Sequence, residues 1–345
     1  MSLHSEILEQ PKRLADVLHL QRGEIERIAR EIGKRQIQYV FLAARGTSDN
    51  AGRYANYLLG GHNRLAVALA TPSLFTFYKK PPRLDGALVI GISQSGQSPD
   101  IVSVLEEGHK QGRPTLAITN EPSSPLARAA DFVIDIMAGP ELATAATKTY
   151  TNELMVLAML SAAIDNQAER WMALEKVSGW VSQALELDEL VGQSAQRYRY
   201  MQQCVVIGRG YNYATAFEWA LKLKELTYTM AEPYSSADFL HGPIAMVGGG
   251  FPVLAVAPSG AVSDSVLELL TNLKQDLKAE LVVISDRDEA LALAQSPFKL
   301  PAGVPEWLTP MVSIVPAQLF AYHLTLIKGF EPDHPRVIHK VTTTR

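Results

Sequence analysis

Apolar-rich runs of five or six residues recur between longer helix-like stretches, at 39–44 (YVFLAA), 87–92 (ALVIGI), 115–119 (TLAIT) and 132–136 (FVIDI). A second set follows at 204–208 (CVVIG), 252–257 (PVLAVA) and 281–285 (LVVIS). A strand that is apolar on both faces must be covered on both faces, and parallel strands need crossover segments long enough to be helices. The chain therefore reads as α/β, with parallel sheets flanked by helices. Strand, glycine turn and helix come in the same order in both sets. Arg45-Gly46 corresponds to Arg209-Gly210, Ser95-Gly96 to Ser259-Gly260 and Asp100 to Asp264, each pair 164 residues apart. Three landmarks at one offset predict an internal duplication, with one sheet in each half.

The length, 345 residues, suits two or three domains. Leu14, Val17 and Leu18, then Ile25, Ile28 and Ile32, have helical spacing among charged residues, so residues 1–35 read as a helical N-terminal arm. Tyr150–Ile164 reads as a buried helix, charged amphipathic helices follow to about Tyr200, and a further helix lies near Pro316–Lys328. The predicted division is arm 1–35, first α/β domain 36–165, helical linker 166–199, second α/β domain 200–330 and tail 331–345, which carries Lys340.

Thirty-two Lys and Arg against 36 Asp and Glu leave a net charge of −4, without the basic excess with which proteins neutralise nucleic-acid phosphates. The single cysteine, Cys204, excludes an intramolecular disulfide and CxxC metal or redox motifs, which fits a reducing cytoplasm. The longest nearly apolar run, Leu154–Ile164, has 11 residues where a membrane span needs about 20. The N-terminus lacks the basic-then-apolar pattern of an export signal. The expectation is a cytoplasmic protein with neither nucleic acid nor membrane as partner.

Chemistry first gathers where 87–92 runs into Ser93-Gln94-Ser95-Gly96-Gln97-Ser98 and then a helix. Unpaired N–H groups and the positive end of the helix dipole favour an anion there, and the Ser and Gln side chains add neutral donors suited to a phosphate monoester. Ser98-Pro99 could serve only as a helix cap with proline in the first turn, but a cap needs one serine. The segment has no GxxxxGK and no complete nucleophile elbow, and Ala44-Arg45-Gly46-Thr47-Ser48 lacks GxGxxG. That turn would lie beside the serine loop at the carboxyl ends of the strands, so Thr47 and Ser48 are candidates for phosphate or sugar contacts or for capping the next helix.

The second region is AFEWALKLKELTYTMAEPYSSADFLHGP, where Lys222 and Glu225 share a helix face and Lys224 points elsewhere. Glu218 and Lys222 also match an ordinary solvated i,i+4 pair. His241-Gly242-Pro243 belongs to an irregular turn after a polar loop from Glu232, and Glu and His suit proton transfer near neutral pH. The C-terminal histidines His323, His334 and His339 have no metal-ligand spacing, so no metal is expected; no other cofactor is expected either.

These residues resemble the sugar isomerase (SIS) fold family, most closely the isomerase half of glutamine:fructose-6-phosphate amidotransferase. The resemblance runs from about Tyr39 to Lys340, through RGTSDNAG, ISQSGQSPD, GPELATAATKTYT, ALKLKELTY, the His241-Gly242-Pro243 turn, QLFAYHLTLIKG and the Pro335–Lys340 tail. It implies two tandem SIS domains, each a doubly wound parallel sheet, and a sugar 6-phosphate substrate. By resemblance, Ser93, Gln94, Ser95 and Ser98 bind the phosphate, with Thr47 beside them and Thr144 near the sugar hydroxyls. Glu225 becomes the general base between C1 and C2, Lys222 the helix lysine near the sugar, His241 the ring-opening histidine and Lys340 the Schiff-base lysine. The resembling synthase takes that histidine from a neighbouring subunit, so the resemblance also implies a homodimer with shared active sites.

Three residues depart from the family pattern: Arg45 replaces a small residue or Cys, Ser98 a threonine, and His339 a small residue before Lys340. The chain begins near the isomerase boundary, so glutamine is not expected to be its ammonia source. The expected activity is a deaminase or isomerase that converts glucosamine 6-phosphate and water to fructose 6-phosphate and ammonia. The alternatives are a deglycase for ketosamine 6-phosphates and a silent sugar-phosphate sensor. A sensor would need only the phosphate loop, whereas Glu225, His241 and Lys340 together favour an enzyme.

Overall fold

The structure is a computed structural model and describes residues 2–340. The chain divides into two compact units. One comprises Lys12–Glu141, Lys148–Lys176 and the described tail residues His339 and Lys340; the other comprises the chain up to Pro11, Leu142–Thr147 and Val177–Ile338.

The first unit holds β1 (Tyr39–Ala43), β2 (Ala66–Leu69), β3 (Ala87–Ile92), β4 (Thr115–Thr119) and β5 (Phe132–Asp135) in the order β2-β1-β3-β4-β5. The second holds β6 (Gln203–Gly208), β7 (Met230–Ser235), β8 (Pro252–Val256), β9 (Glu280–Ser285) and β10 (Ser296–Lys299) in the equivalent order β7-β6-β8-β9-β10. Every pairing is parallel. All six residues of β3 are buried, as its unbroken apolar run requires. Phe41, Val89 and Ala117 pack with Val104 and Leu105 of helix Pro99–Lys110 in one unit; Val205, Val253 and Val283 pack with Leu269 and Leu270 of helix Ser263–Gln275 in the other.

The duplication extends to backbone conformation. Arg45 and Arg209 have nearly the same dihedrals (φ −140°, ψ 154° and φ −149°, ψ 157°). Gly46 and Gly210 follow at φ +53° and +61°, in the left-handed region where glycine carries no steric penalty. Asp100 and Asp264 are each the second residue of a helix.

Three strands are absent from the sequence reading, and all three are edges: β2, β7 and β10. An edge strand need not be apolar on both faces and tolerates proline, as Pro233 and Pro297 show. The predicted single N-terminal arm is two helices, Leu3–Leu8, which opens with a capping box on Ser2, and Gln10–Gly33. Helix Lys148–Asp165 is buried on all sides from Lys148 to Ala162. Helix Thr309–Ile327 begins before the predicted Pro316 and includes it. Among the described residues, the segment Glu306–Ile327 alone is long and apolar enough to cross a membrane, and 78% of its apolar window is buried inside the protein.

Candidate active site

In the first sheet the strand order reverses between β1 and β3, and the crevice outside their carboxyl ends is where open α/β sheets bind ligands. Ala43 is paired with Gly91, so the turn 44–48 and the loop 93–98 leave neighbouring strand ends. Arg45 Nε donates to Asp100 Oδ2 over 2.9 Å, tying the turn to the first turn of helix Pro99–Lys110. Asp100 is fully buried and Arg45 half exposed.

The loop is braced by its own serine hydroxyls and one backbone bond. Ser93 Oγ accepts from Gly96 N (3.1 Å), Ser95 Oγ from Gln97 N (3.3 Å) and the Gln94 carbonyl from Asn120 N (3.1 Å). Gly96 has φ +60°, and a Cβ there would lie 2.1 Å from Ser124 Oγ, so only glycine fits. Ser98 caps the helix by backbone position with Pro99 following, yet its hydroxyl makes no capping hydrogen bond. Capping therefore does not account for this serine. The helix after β1, Gly46–Asn63, has Arg45 at its N-cap with no side-chain cap bond, so neither Thr47 nor Ser48 serves as that cap. Ser48 Oγ instead donates to the buried Glu153 Oε1 at 2.7 Å.

The duplicated loop of the second sheet has a different fate. There Ala261 N, 164 residues after Gln97, donates to Glu306 Oε2 at 2.9 Å. A Cβ on Gly260 would lie 2.2 Å from the Glu306 carboxyl carbon. The protein's own carboxylate thus takes the position an anion would occupy over this turn. No side-chain carboxylate bonds the loop N–H groups of the first copy among the described residues.

In the second unit, helix Tyr213–Lys222 leads into a π-helical turn, Leu223–Thr227, ended by Tyr228 in the left-handed region (φ +56°). Wider π turns re-aim side chains and recur at functional sites. Lys222 Nζ donates to Glu225 Oε2 at 2.5 Å and lies 3.3 Å from Glu218 Oε1. Glu218 and Lys222 are buried while the Glu225 side chain is about a quarter exposed, so the solvated-pair reading of Glu218 and Lys222 fails. Burial opposes the charge on Lys222, but the two carboxylates outweigh it and raise the ammonium pKa above the ordinary lysine range.

His241 caps the short helix Ser236–Leu240 at its C-terminus and is exposed, with its N–H donating to Asp238 O. The polar loop predicted from Glu232 to His241 is instead β7 followed by this helix: Pro233 fits an edge strand, and Ser235 supplies a helix N-cap to Ala237 N. Thr144, half buried in the same unit, bonds the Asp333 carbonyl through its N (3.4 Å) and Oγ1 (3.5 Å). In the first unit, Lys340 Nζ lies 2.5 Å from Glu141 Oε2, and the wholly buried Glu141 carboxylate also accepts from Thr149 N (3.2 Å) and Oγ1 (2.8 Å).

The first unit thus holds Thr47, Ser48, Ser93, Gln94, Ser95, Ser98 and Lys340, and the second holds Thr144, Lys222, Glu225 and His241. Sequence reasoning did not single out Glu141 or Glu306. A glutamate after Gly139-Pro140 and one after Pro305 carry no local signal of a partner 199 or 45 residues away. Among the described residues no group of three His, Cys, Asp or Glu side chains gathers as metal ligands.

The SIS domain family matches residues 35–163 and 200–328. Glutamine–fructose-6-phosphate aminotransferase of Thermococcus kodakarensis is 35% identical over 347 residues, 98% of this chain and 57% of that protein. The corresponding protein of Aquifex aeolicus is 34% identical over 343 residues, with 98% and 57% covered. The chain spans about half the length of the curated relatives it matches. The solved C-terminal domain of glucosamine-fructose-6-phosphate aminotransferase from Francisella tularensis has a TM-score of 0.86 at 28% identity, over 96% of this chain and 98% of that one. Glucosamine-6-phosphate deaminase from Thermotoga maritima shares the fold at a TM-score of 0.79 and 21% identity, over 100% of both chains. With a matched domain on each of two equivalent parallel sheets, the chain belongs to the SIS domain family, in two copies, and is homologous to the isomerase half of glutamine–fructose-6-phosphate aminotransferase.

Proposed function

We propose that the protein is a phosphosugar deaminase of the SIS type, acting in the cytoplasm on glucosamine 6-phosphate to give fructose 6-phosphate and ammonia. The observation that carries this reading is the Glu218–Lys222–Glu225 chain: a buried ammonium held between two carboxylates, one of them at the surface of the π turn. A carboxylate fixed in position by a neighbouring cation suits the transfer of a proton between adjacent carbons. The phosphate role of Ser93, Gln94, Ser95 and Ser98 is supported by the second copy, where the equivalent turn binds the Glu306 carboxylate. Thr47 and Thr144 are assigned to the phosphate and sugar hydroxyls. Ser48, bonded to Glu153, is assigned to shaping the turn.

His241 assists opening of the pyranose ring, which frees the C1 aldehyde. Glu225 removes the C2 proton as the C1 oxygen gains one, giving an enolamine; return of a proton to C1 yields the C2 ketimine. Water adds at C2 and ammonia leaves, so atoms and charge balance. Lys340 exchanges with the C2 nitrogen as a Schiff base, and Glu141, 2.5 Å away, accepts the proton that Nζ must lose to become a nucleophile.

His241 is proposed to serve the partner's site in a symmetric dimer. In support, it is exposed beside Leu240 (56% exposed) and Met246 (48%), and Gly242 follows at φ +142° with nothing near its Cβ position. An ammonia-release assay across amino-sugar and ketosamine 6-phosphates tests the function. Ammonia from glucosamine 6-phosphate is expected. Release of a free amino acid from ketosamine phosphates alone would mark a deglycase, and binding without turnover a sensor. Borohydride reduction with fructose 6-phosphate should label Lys340.

A further inference from the structure

The second unit contains a separate cavity of about 310 Å³, lined in part by Arg199, Thr227, Tyr228, Lys328, Phe330 and Arg336. Three of its side chains are cations, and none of its lining residues is acidic. Among the described residues, none of the three has a carboxylate partner. Lys328 Nζ donates to the Met201 carbonyl and to Thr229 Oγ1 (3.3 Å). The Arg336 guanidinium lies over the Tyr228 ring at 3.9 Å, and its backbone N donates to Tyr228 Oη at 2.9 Å. Arg199 is exposed. Burial lowers the pKa of the half-buried Lys328 ammonium. Cations without a carboxylate partner among the described residues, around a concavity of this size, favour a small dianion, and guanidinium forks suit phosphate oxygens. The tilted Tyr228 and Phe330 rings, 4.9 Å apart, add an apolar surface for the body of such a ligand.

Tyr228 directly follows the π turn that bears Glu225, and Arg336 lies in the tail four residues before Lys340. We infer that this cavity is a second anion site, which takes the phosphate group of a small phosphorylated metabolite and thereby braces the Tyr228 turn against the tail at Arg336. The bound dianion relieves repulsion among the three cations and adds charge-assisted bonds to both segments. The link from this bracing to catalysis rests on the proposed roles of Glu225 and Lys340, whereas the binding itself does not.

Hydrogen exchange of the full chain with inorganic phosphate tests the inference. Phosphate is expected to slow exchange at residues 223–228 and 331–338 as well as at the loop 93–98. In the doubly substituted Arg199→Gln, Arg336→Gln protein, protection at 223–228 and 331–338 should require roughly 10- to 100-fold more phosphate, as expected on loss of charge-assisted hydrogen bonds. Its protection at 93–98 and its turnover without added phosphate should be unchanged. Phosphate protection confined to 93–98, or unaltered by the double substitution, would overturn the second site. Protection at the cavity but not at 93–98 would leave this inference standing and count against the phosphate role of the serine loop.

Discussion

Lys222 Nζ stands between Glu225, at 2.5 Å, and the buried Glu218, at 3.3 Å, so one interior ammonium neutralises two carboxylates of which only Glu225 reaches solvent. Removing either kind of partner has different consequences. Glu225→Gln keeps the size and a hydrogen-bonding oxygen for Lys222 but cannot accept a proton. Turnover is expected to fall by roughly 100- to 10,000-fold with substrate binding retained. Lys222→Met leaves Glu218 buried without its cation, and urea unfolding should show a loss of about 3–5 kcal/mol. Because the Lys222 pKa is raised on folding, the stability it contributes is fully present below its unfolded pKa of about 10.4 and is lost only as pH climbs through the higher folded value. In Lys222→Met the buried Glu218 carboxyl, without its cation, has its pKa raised and takes up a proton on folding, so the difference between wild type and variant should hold or widen as pH rises from 6 to about 9; a difference that shrank as pH rose over that range would contradict the pairing.

The serine loop gives a second prediction. Ser93→Ala and Ser95→Ala each remove a hydroxyl beside the Gly96 turn without touching β3. Calorimetry should find phosphorylated sugar bound about 10- to 100-fold more weakly, in the range of a lost hydrogen bond to a charged group. Equal affinity of the wild type for glucosamine with and without its phosphate would remove the basis for assigning the loop to phosphate.

Cys204 offers a test of the core. Burial pushes its thiol pKa up to about 12, whereas an unfolded cysteine ionises near 8.5. Above about pH 8.5 only the unfolded chain sheds this proton, so stability should decline by about 1.4 kcal/mol per pH unit from this group until the folded pKa is reached. Between pH 8 and pH 10 wild type should lose about 2 kcal/mol more than Cys204→Ala. Parallel losses in the two proteins would show that the thiol ionises in the folded state.

Mixed dimers test the sharing of His241. Glu225→Gln and His241→Ala are each expected to be inactive alone. If each site takes its histidine from the partner, a heterodimer has one site with both lesions and one with neither, and random exchange restores about a quarter of wild-type activity. Verified exchange without recovery, or an active monomer, would confine His241 to its own chain.

The doubly wound class, the duplication and the serine loop can all be read from the amino-acid order. These are carried by local signals: strands such as 87–92 are apolar at every position because both faces are covered, and Gly46, Gly96 and Gly210 sit where the backbone needs positive φ. The edge strands β7 and β10 escaped because a half-exposed strand with a proline and a charge has no such pattern, and β2 escaped because its apolar run, AVAL, is only four residues long and partly exposed. Which charges meet depends on the folded path of the chain. Lys222 and Glu218 have the spacing of a surface pair, and burial alone turns them into a coupled interior group. Lys340 reaches Glu141 across 199 residues, and Glu306 returns over the Gly260 turn from 45 residues away. The path of the chain sets such partnerships, because a side chain's charge and size are written locally while the low-dielectric surroundings that give them consequence are assembled from distant segments.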